Sequence, residues 1–123
     1  MSMTQSSGWE IPYFDRDGNR ISIDRYVELL RDPDYRRLTS DDVLTEDGRT
    51  MWVSTVWLGL DHGIGRGKPL IFETMVFVEG MAGDYCERYS SVREARAGHD
   101  HVVRQLHAGV AVEDLGPLVG GPL

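Results

Sequence analysis

The side chains best suited to chemistry in this sequence are Asp61, His62, Glu73 and His99. Two histidines and one carboxylate form a common ligand set for a divalent metal ion. These residues belong to separate predicted elements, and no HxH, HExxH or CxxC spacing brings ligands together. Two hypotheses for His99 therefore stay open: a metal ligand, or a histidine that is hydrogen-bonded within the core.

Glu73 interrupts the apolar run PLIFETMVFV at 69–78. A carboxyl group at such a position must face solvent, form an ion pair or be held protonated, and a protonated carboxyl is what a general acid requires. The sequence also offers ion-pair partners for it, namely Arg36, Arg37 and Lys68.

The glycine-rich loop GIGRGK at 63–68 places Arg66 and Lys68 where backbone amides could surround an anion. It is not a nucleotide-binding P-loop, because three residues rather than four separate Gly63 from the Gly-Lys pair and Pro69 follows instead of serine or threonine. The two hypotheses here are a small anion site and a plain hairpin connection.

Cys86 is the single cysteine, so the chain forms no internal disulfide and suits a reducing compartment. Nothing nearby in the sequence indicates a lowered thiol pKa, and no GxSxG motif indicates a serine hydrolase. The aromatic residues of the two apolar runs are predicted to belong to the core rather than to a stacking surface; they are Trp52, Trp57, Phe72 and Phe77.

The composition is that of one globular domain: 123 residues, 41% hydrophobic and 27% charged. The net charge of -7 argues against direct binding to nucleic acid or to an anionic membrane surface. The N-terminal sequence lacks the features of a signal peptide, and no apolar run approaches the length of a membrane span. We therefore expect a cytoplasmic protein.

The hydrophobic patterns predict an α+β fold, an antiparallel β-meander with two amphipathic helices. Residues 1–8 are predicted to be a flexible tail, 9–108 a single domain and 109–123 a Gly/Pro-rich apolar tail. Within the domain we predict a hairpin turning at 17–19, helices at 22–31 and 91–108, and strands at 36–44, 50–59, 69–78 and 84–89. Strand 50–59 is apolar on both faces, which predicts a central strand or one covered on both sides.

The run VSTVWLGLDH, the glycine-rich loop, PLIFETMVF, RYS and an EA-x-x-GH helix together resemble a family of small uncharacterised proteins of actinobacteria and their phages. YFDRDGN and DPDYRR near the N-terminus fit the same pattern, and the resemblance covers roughly residues 12–106. It implies a phage or prophage accessory protein in the host cytoplasm, and it transfers no catalytic residue.

These observations give three hypotheses for function. The first is a protein-binding module that engages another protein or its own copy, because leftover apolar surface favours a partner. The second is a metal-dependent enzyme or metal-binding protein that uses His62, Glu73 and His99. The third is a binder of small anions such as nucleotides through the loop at 63–68. No cofactor is predicted.

Overall fold

A computed structural model of the chain describes residues 12–61 and 67–117. The predicted α+β class is confirmed. The elements of the described ranges are β1 Tyr13–Phe14, β2 Arg20–Ile21, α1 Ile23–Leu30, α2 Pro33–Arg36, β3 Arg37–Leu44, β4 Thr50–Trp57, β5 Phe72–Val78, β6 Met81–Tyr89, α3 Val92–His107 and a 3-10 turn at Val112–Asp114. The predicted tail at 1–8 lies outside these ranges.

The four long strands form an antiparallel meander in the order β3-β4-β5-β6, and β1 pairs with β2 in a separate hairpin. β4 is therefore a central strand, as its two apolar faces predicted. Strand β5 begins at Phe72 rather than at Pro69, because the amide of Leu70 is held by Asp61 instead of a neighbouring strand.

Strand β6 begins at Met81, earlier than the predicted 84, and has nine residues. The reason is the turn before it, where Glu79 has φ 50° and Gly80 has φ 87°. Two consecutive residues with positive φ make the tight turn that matches the twist of paired strands, so pairing resumes at once.

Helix α3 covers one face of the sheet. Ser91 caps its N-terminus by accepting a hydrogen bond from the amide of Glu94, as the sequence predicted. The predicted apolar stripe lies against the sheet, and its buried members are Ala95, His99, Val102 and Leu106. Gly98 is required at the closest approach, because a Cβ there would lie 2.3 Å from the hydroxyl oxygen of Tyr89. No helix of the described ranges is long and apolar enough to cross a membrane.

The N-terminal elements pack at one end of the sheet, around Trp57. Asp32-Pro33 ends α1, as predicted, and it also starts α2, because the Asp32 carboxylate accepts hydrogen bonds from the amides of Asp34 and Tyr35. The ring of Tyr35 meets Trp57 edge-on with 5.0 Å between ring centroids. This contact fixes α2 beside the start of β3.

The face of the sheet opposite α3 carries Trp52, whose exposed fraction is 39%. Trp57 and Phe72 are core residues, as predicted, but the prediction that Trp52 belongs to the core is wrong. Alternation along β4 explains the difference: Met51, Val53 and Trp57 point to α3, and Trp52 points to the other side.

Candidate functional site: the open sheet face

The described residues of the predicted polar cluster, Asp61, Glu73 and His99, do not form one site. Asp61 accepts a hydrogen bond from the amide of Leu70 at 2.9 Å, which ties the two ends of the connection together. His62 and Arg66 lie outside the described residues, and Lys68 is exposed. Of the two candidate histidines the structure therefore describes only His99, and of the two candidate basic residues of the loop it describes only Lys68.

Glu73 forms an ion pair, but with a different partner from those the sequence offered. Its Oε2 lies 3.0 Å from Nε of Arg88 and accepts a longer hydrogen bond from the thiol of Cys86 at 3.2 Å. The strand register explains the choice, because Glu73 and Arg88 are direct neighbours across β5 and β6. Arg36, Arg37 and Lys68 are not its partners in these hydrogen bonds.

His99 is fully buried and hydrogen-bonded through both ring nitrogens. Nε2 lies 2.7 Å from Oδ2 of Asp41, and Nδ1 lies 2.7 Å from the hydroxyl of Thr55, which contacts the hydroxyl of Thr74. An ionised carboxylate only accepts, so Nε2 donates to Asp41, and in the neutral imidazole Nδ1 accepts from Thr55. Asp41 was missed from the sequence because it lies 58 residues from His99.

This Asp41, His99 and Thr55 chain has the order of an acid, base and hydroxyl triad. Thr55 and Thr74 are both completely buried, so a substrate has no route to the hydroxyl. The chain instead joins α3 to three neighbouring strands through hydrogen bonds. It is a structural network inside the core.

The structure does not bring Glu73 and His99 together. His99 bonds to residues on the α3 face, whereas Glu73 follows the alternation of β5 to the opposite face, next to the buried Thr74. In the described part of the chain, no group of three or more His, Cys, Asp or Glu side chains is placed to hold a metal ion.

Cys86 lies on the same face as Glu73. Partial burial, together with the hydrogen bond and negative charge of Glu73, raises the pKa of its thiol to about 11. The thiolate is the nucleophilic form of cysteine, and it is scarce at neutral pH in such a setting. This agrees with the absence of a thiol-nucleophile signal in the sequence.

The surface opposite α3, hereafter the open face, consists of three rows of paired residues across the four strands. The first row is Arg37, Val56, Glu73 and Arg88; the middle row is Ser40, Ser54, Met75 and Cys86; the third row is Asp42, Trp52, Phe77 and Ala82.

An aromatic pair dominates the third row of the open face. The rings of Trp52 and Phe77 are stacked with 4.8 Å between centroids and 30° between planes. The indole N–H of Trp52 donates to the hydroxyl of Ser40 at 2.6 Å. The polar end of the indole is therefore satisfied within the chain, and the remaining exposed surface of Trp52 is apolar.

A cleft of about 180 Å³ lies along β4 beside α2 and reaches from Val56 to Trp52. We name it the α2 cleft; its lining residues are Pro33, Arg36, Arg37, Trp52, Ser54 and Val56. Its base is largely apolar and two arginines border it. Such a cleft suits a large apolar or aromatic side chain, since a guanidinium group stacks favourably on an aromatic ring.

The three rows of the open face carry a balanced set of described charges. Arg37 and Arg88 are positive, and Asp42 and Glu73 are negative. The chain as a whole has a net charge of -7, so its excess of negative charge lies elsewhere. A surface that carries both signs of charge beside apolar side chains is the kind of surface on which two proteins associate.

Comparisons with protein-family models, with curated proteins and with solved structures each give no match for this chain. The function is therefore inferred from the geometry of its own residues.

Proposed function

We propose that this protein is a protein-binding module that self-associates through the open face. The observation that carries the proposal is Trp52, a large aromatic side chain that stays 39% exposed on a central strand of the sheet. Tryptophan is among the residues that contribute most to binding energy at protein interfaces. Its stacking on Phe77 holds the ring in place before a partner arrives, which reduces the entropy lost on binding.

The size of the open face agrees with a weak dimer. With strands about 4.8 Å apart and a rise of about 3.3 Å per residue, the face measures roughly 19 by 23 Å. Two such faces packed together would remove on the order of 1,000 Å² from solvent, close to the lower limit for a specific interface. Interfaces of this size belong to weak, reversible complexes.

The charge of the face favours a second copy over a strongly basic partner. A basic partner would dock where the acidic residues are concentrated, but the rows of the open face hold two described charges of each sign. The same face on a second copy offers apolar surface and both signs of charge. Sheets also pack readily face to face, at a separation of about 10 Å.

Sedimentation equilibrium over a range of protein concentrations tests the proposal. We expect the natural chain to dimerise reversibly, and Trp52→Thr to weaken dimerisation at least about tenfold. Ile23→Thr is the matched control, because Ile23 is a 56% exposed apolar residue of α1 and belongs to none of the three rows of the open face. A chain that stays monomeric to about 1 mM would refute self-association.

The resemblance of the sequence to proteins of actinobacteria and their phages suggests where such a module acts. We place it, as part of the same proposal, among the accessory proteins of a phage or prophage in the host cytoplasm. Dimerisation would then give the module two copies of any further binding surface, which increases avidity.

A further inference from the structure

We propose that the two copies are related by a two-fold axis that runs along the middle row of the open face, through Ser40, Ser54, Met75 and Cys86. This inference rests on the proposed self-association and specifies its geometry. A symmetric dimer uses the same patch on both copies, so every contact occurs twice. Once the axis is chosen, the strand register indicates which residues lie closest to each other across the interface.

A rotation about the middle row places the first row of one copy over the third row of the other. Arg37 then faces Asp42 of the second copy, and Val56 faces Trp52 of the second copy. The first pair joins opposite charges and the second joins apolar side chains. The same rotation places Glu73 over Phe77 of the second copy and Arg88 over Ala82 of the second copy, and by symmetry every contact is formed twice.

An axis parallel to the strands, between β4 and β5, would also give a symmetric dimer, but it places like charges together. It reverses each row, so Arg37 faces Arg88 of the second copy and Trp52 faces Phe77 of the second copy. Like charges would oppose each other at both edges. The bulky aromatic pairs of the two copies would also meet each other.

The axis along the middle row instead places Trp52 of each copy over Val56 of the other. Val56 lines the apolar base at one end of the α2 cleft, and the second copy's own Trp52 lines the other end. Arg36 and Arg37 border that cleft, so the guanidinium groups can stack on the entering indole. The indole N–H already donates to Ser40, so burying Trp52 leaves no donor without a partner.

The middle row itself is suited to lie on the axis. Ser40 and Ser54 are small, so they let the two sheets approach to the usual separation of about 10 Å. Cys86 pairs with Met75 in this row and is an exposed residue of the edge strand β6. The axis therefore places Cys86 opposite Cys86 of the second copy.

Thiol cross-linking of the natural chain tests the axis. Both Cys86 side chains would point into the gap between the sheets, so their sulfur atoms would lie closer than the sheet separation of about 10 Å. A bismaleimide with a correspondingly short reach should therefore join two chains through Cys86 at concentrations where the dimer forms. Labelling with N-ethylmaleimide, monitored by mass spectrometry, gives the reaction time needed to modify the Cys86 thiol completely. Cys86→Ser and Trp52→Thr should both abolish the cross-linked dimer, the first by removing the thiol and the second by dissociating the copies.

A charge exchange provides an independent test of the same axis. Arg37→Asp and Asp42→Arg should each raise the dissociation constant about three- to tenfold, because each places like charges face to face. The double variant should restore the natural value, since the pair is then reversed and intact. This restoration would not occur if the two residues acted only on folding.

The outcomes separate the axis from self-association. A dimer that cross-links at Cys86 and regains its affinity in the double variant supports the axis. A dimer that sedimentation detects but that neither cross-links nor regains affinity overturns the axis and leaves self-association standing. A monomeric chain overturns both.

Discussion

His99 illustrates how a polar residue on an apolar helix stripe can be structural. It has no exposed surface, and both ring nitrogens are satisfied, one by the half-exposed Asp41 and one by Thr55. A buried polar group without partners would destabilise the fold, so the network must be complete to be tolerated. The sequence placed His99 on the buried stripe correctly, but the alternation pattern gave no reason to choose Asp41 among twenty acidic residues.

His99→Leu should lower the free energy of unfolding by about 2–3 kcal/mol, because it leaves Thr55 and Asp41 without their shared partner. Urea denaturation at a concentration where the chain is monomeric measures the effect. His107→Leu is the control, since His107 lies on the same helix but is exposed, and it should change stability by less than about 0.5 kcal/mol. Equal effects of the two substitutions would contradict the network.

Cys86 and Glu73 make a coupled pair on the open face. Burial is the first cause of the raised pKa of Cys86, and the hydrogen bond and charge of Glu73 are the next. Glu73→Gln removes the negative charge and frees Arg88 to attract the thiolate. The midpoint of the alkylation rate against pH should therefore fall from about 11 to a lower value. Glu28→Gln, on the exposed surface of α1, should leave the midpoint unchanged, and a midpoint unaffected by Glu73→Gln would exclude the coupling.

At the scale of elements, the helices and most strand positions follow from the sequence because each has a clear period. The stripe of α3 recurs at steps of three and four, and β4 is dense in β-branched and aromatic residues. The period does not say which side of β4 faces α3, since both sides are apolar. That choice depends on contacts made by Trp57 with the N-terminal elements, which no local pattern encodes.

The tight β5–β6 turn could not be predicted from the sequence, because glutamate rarely adopts positive φ. Glu79 does so at φ 50°. Glu79→Asn should raise the free energy of unfolding by about 0.5–1 kcal/mol, since asparagine tolerates this conformation better. Glu46→Asn is the control in the β3–β4 turn, where residue 46 lacks positive φ, and it should have almost no effect on the urea midpoint. A gain at both turns would mean that the residue change, not the backbone conformation, is responsible.

At the scale of the whole molecule, the stability of the fold should decline at alkaline pH. Burial raises the pKa of Tyr85 and of Tyr89, whose hydroxyls lack hydrogen-bond partners within the described residues, and it also raises the pKa of Cys86. Each group is protonated in the folded state at a pH where the unfolded chain has lost the proton. The unfolded state then binds fewer protons, so the free energy of unfolding falls as pH rises.

The decline should begin near the ordinary thiol pKa of about 8.5 and steepen above the ordinary tyrosine value of about 10. The part due to Cys86 is lost as pH rises to about 11. Thermal melting across this range measures the effect. Tyr85→Phe should flatten the decline above about pH 10 and leave stability at neutral pH nearly unchanged, because it removes a hydroxyl that has no partner. A melting temperature independent of pH up to about 11 would contradict the burial of these groups.

Methyl and indole NMR over a dilution series tests most directly whether the open face is the binding surface. Met75 and Trp52 lie on the open face, whereas Met51 and Trp57 are buried on the α3 face, so each probe has a matched control of its own type. We predict that the Met75 methyl and the Trp52 indole N–H shift progressively with protein concentration while the Met51 and Trp57 signals stay constant. If the Met75 and Trp52 signals stay constant up to about 1 mM, or if only the Met51 and Trp57 signals shift, the open face is not the binding surface.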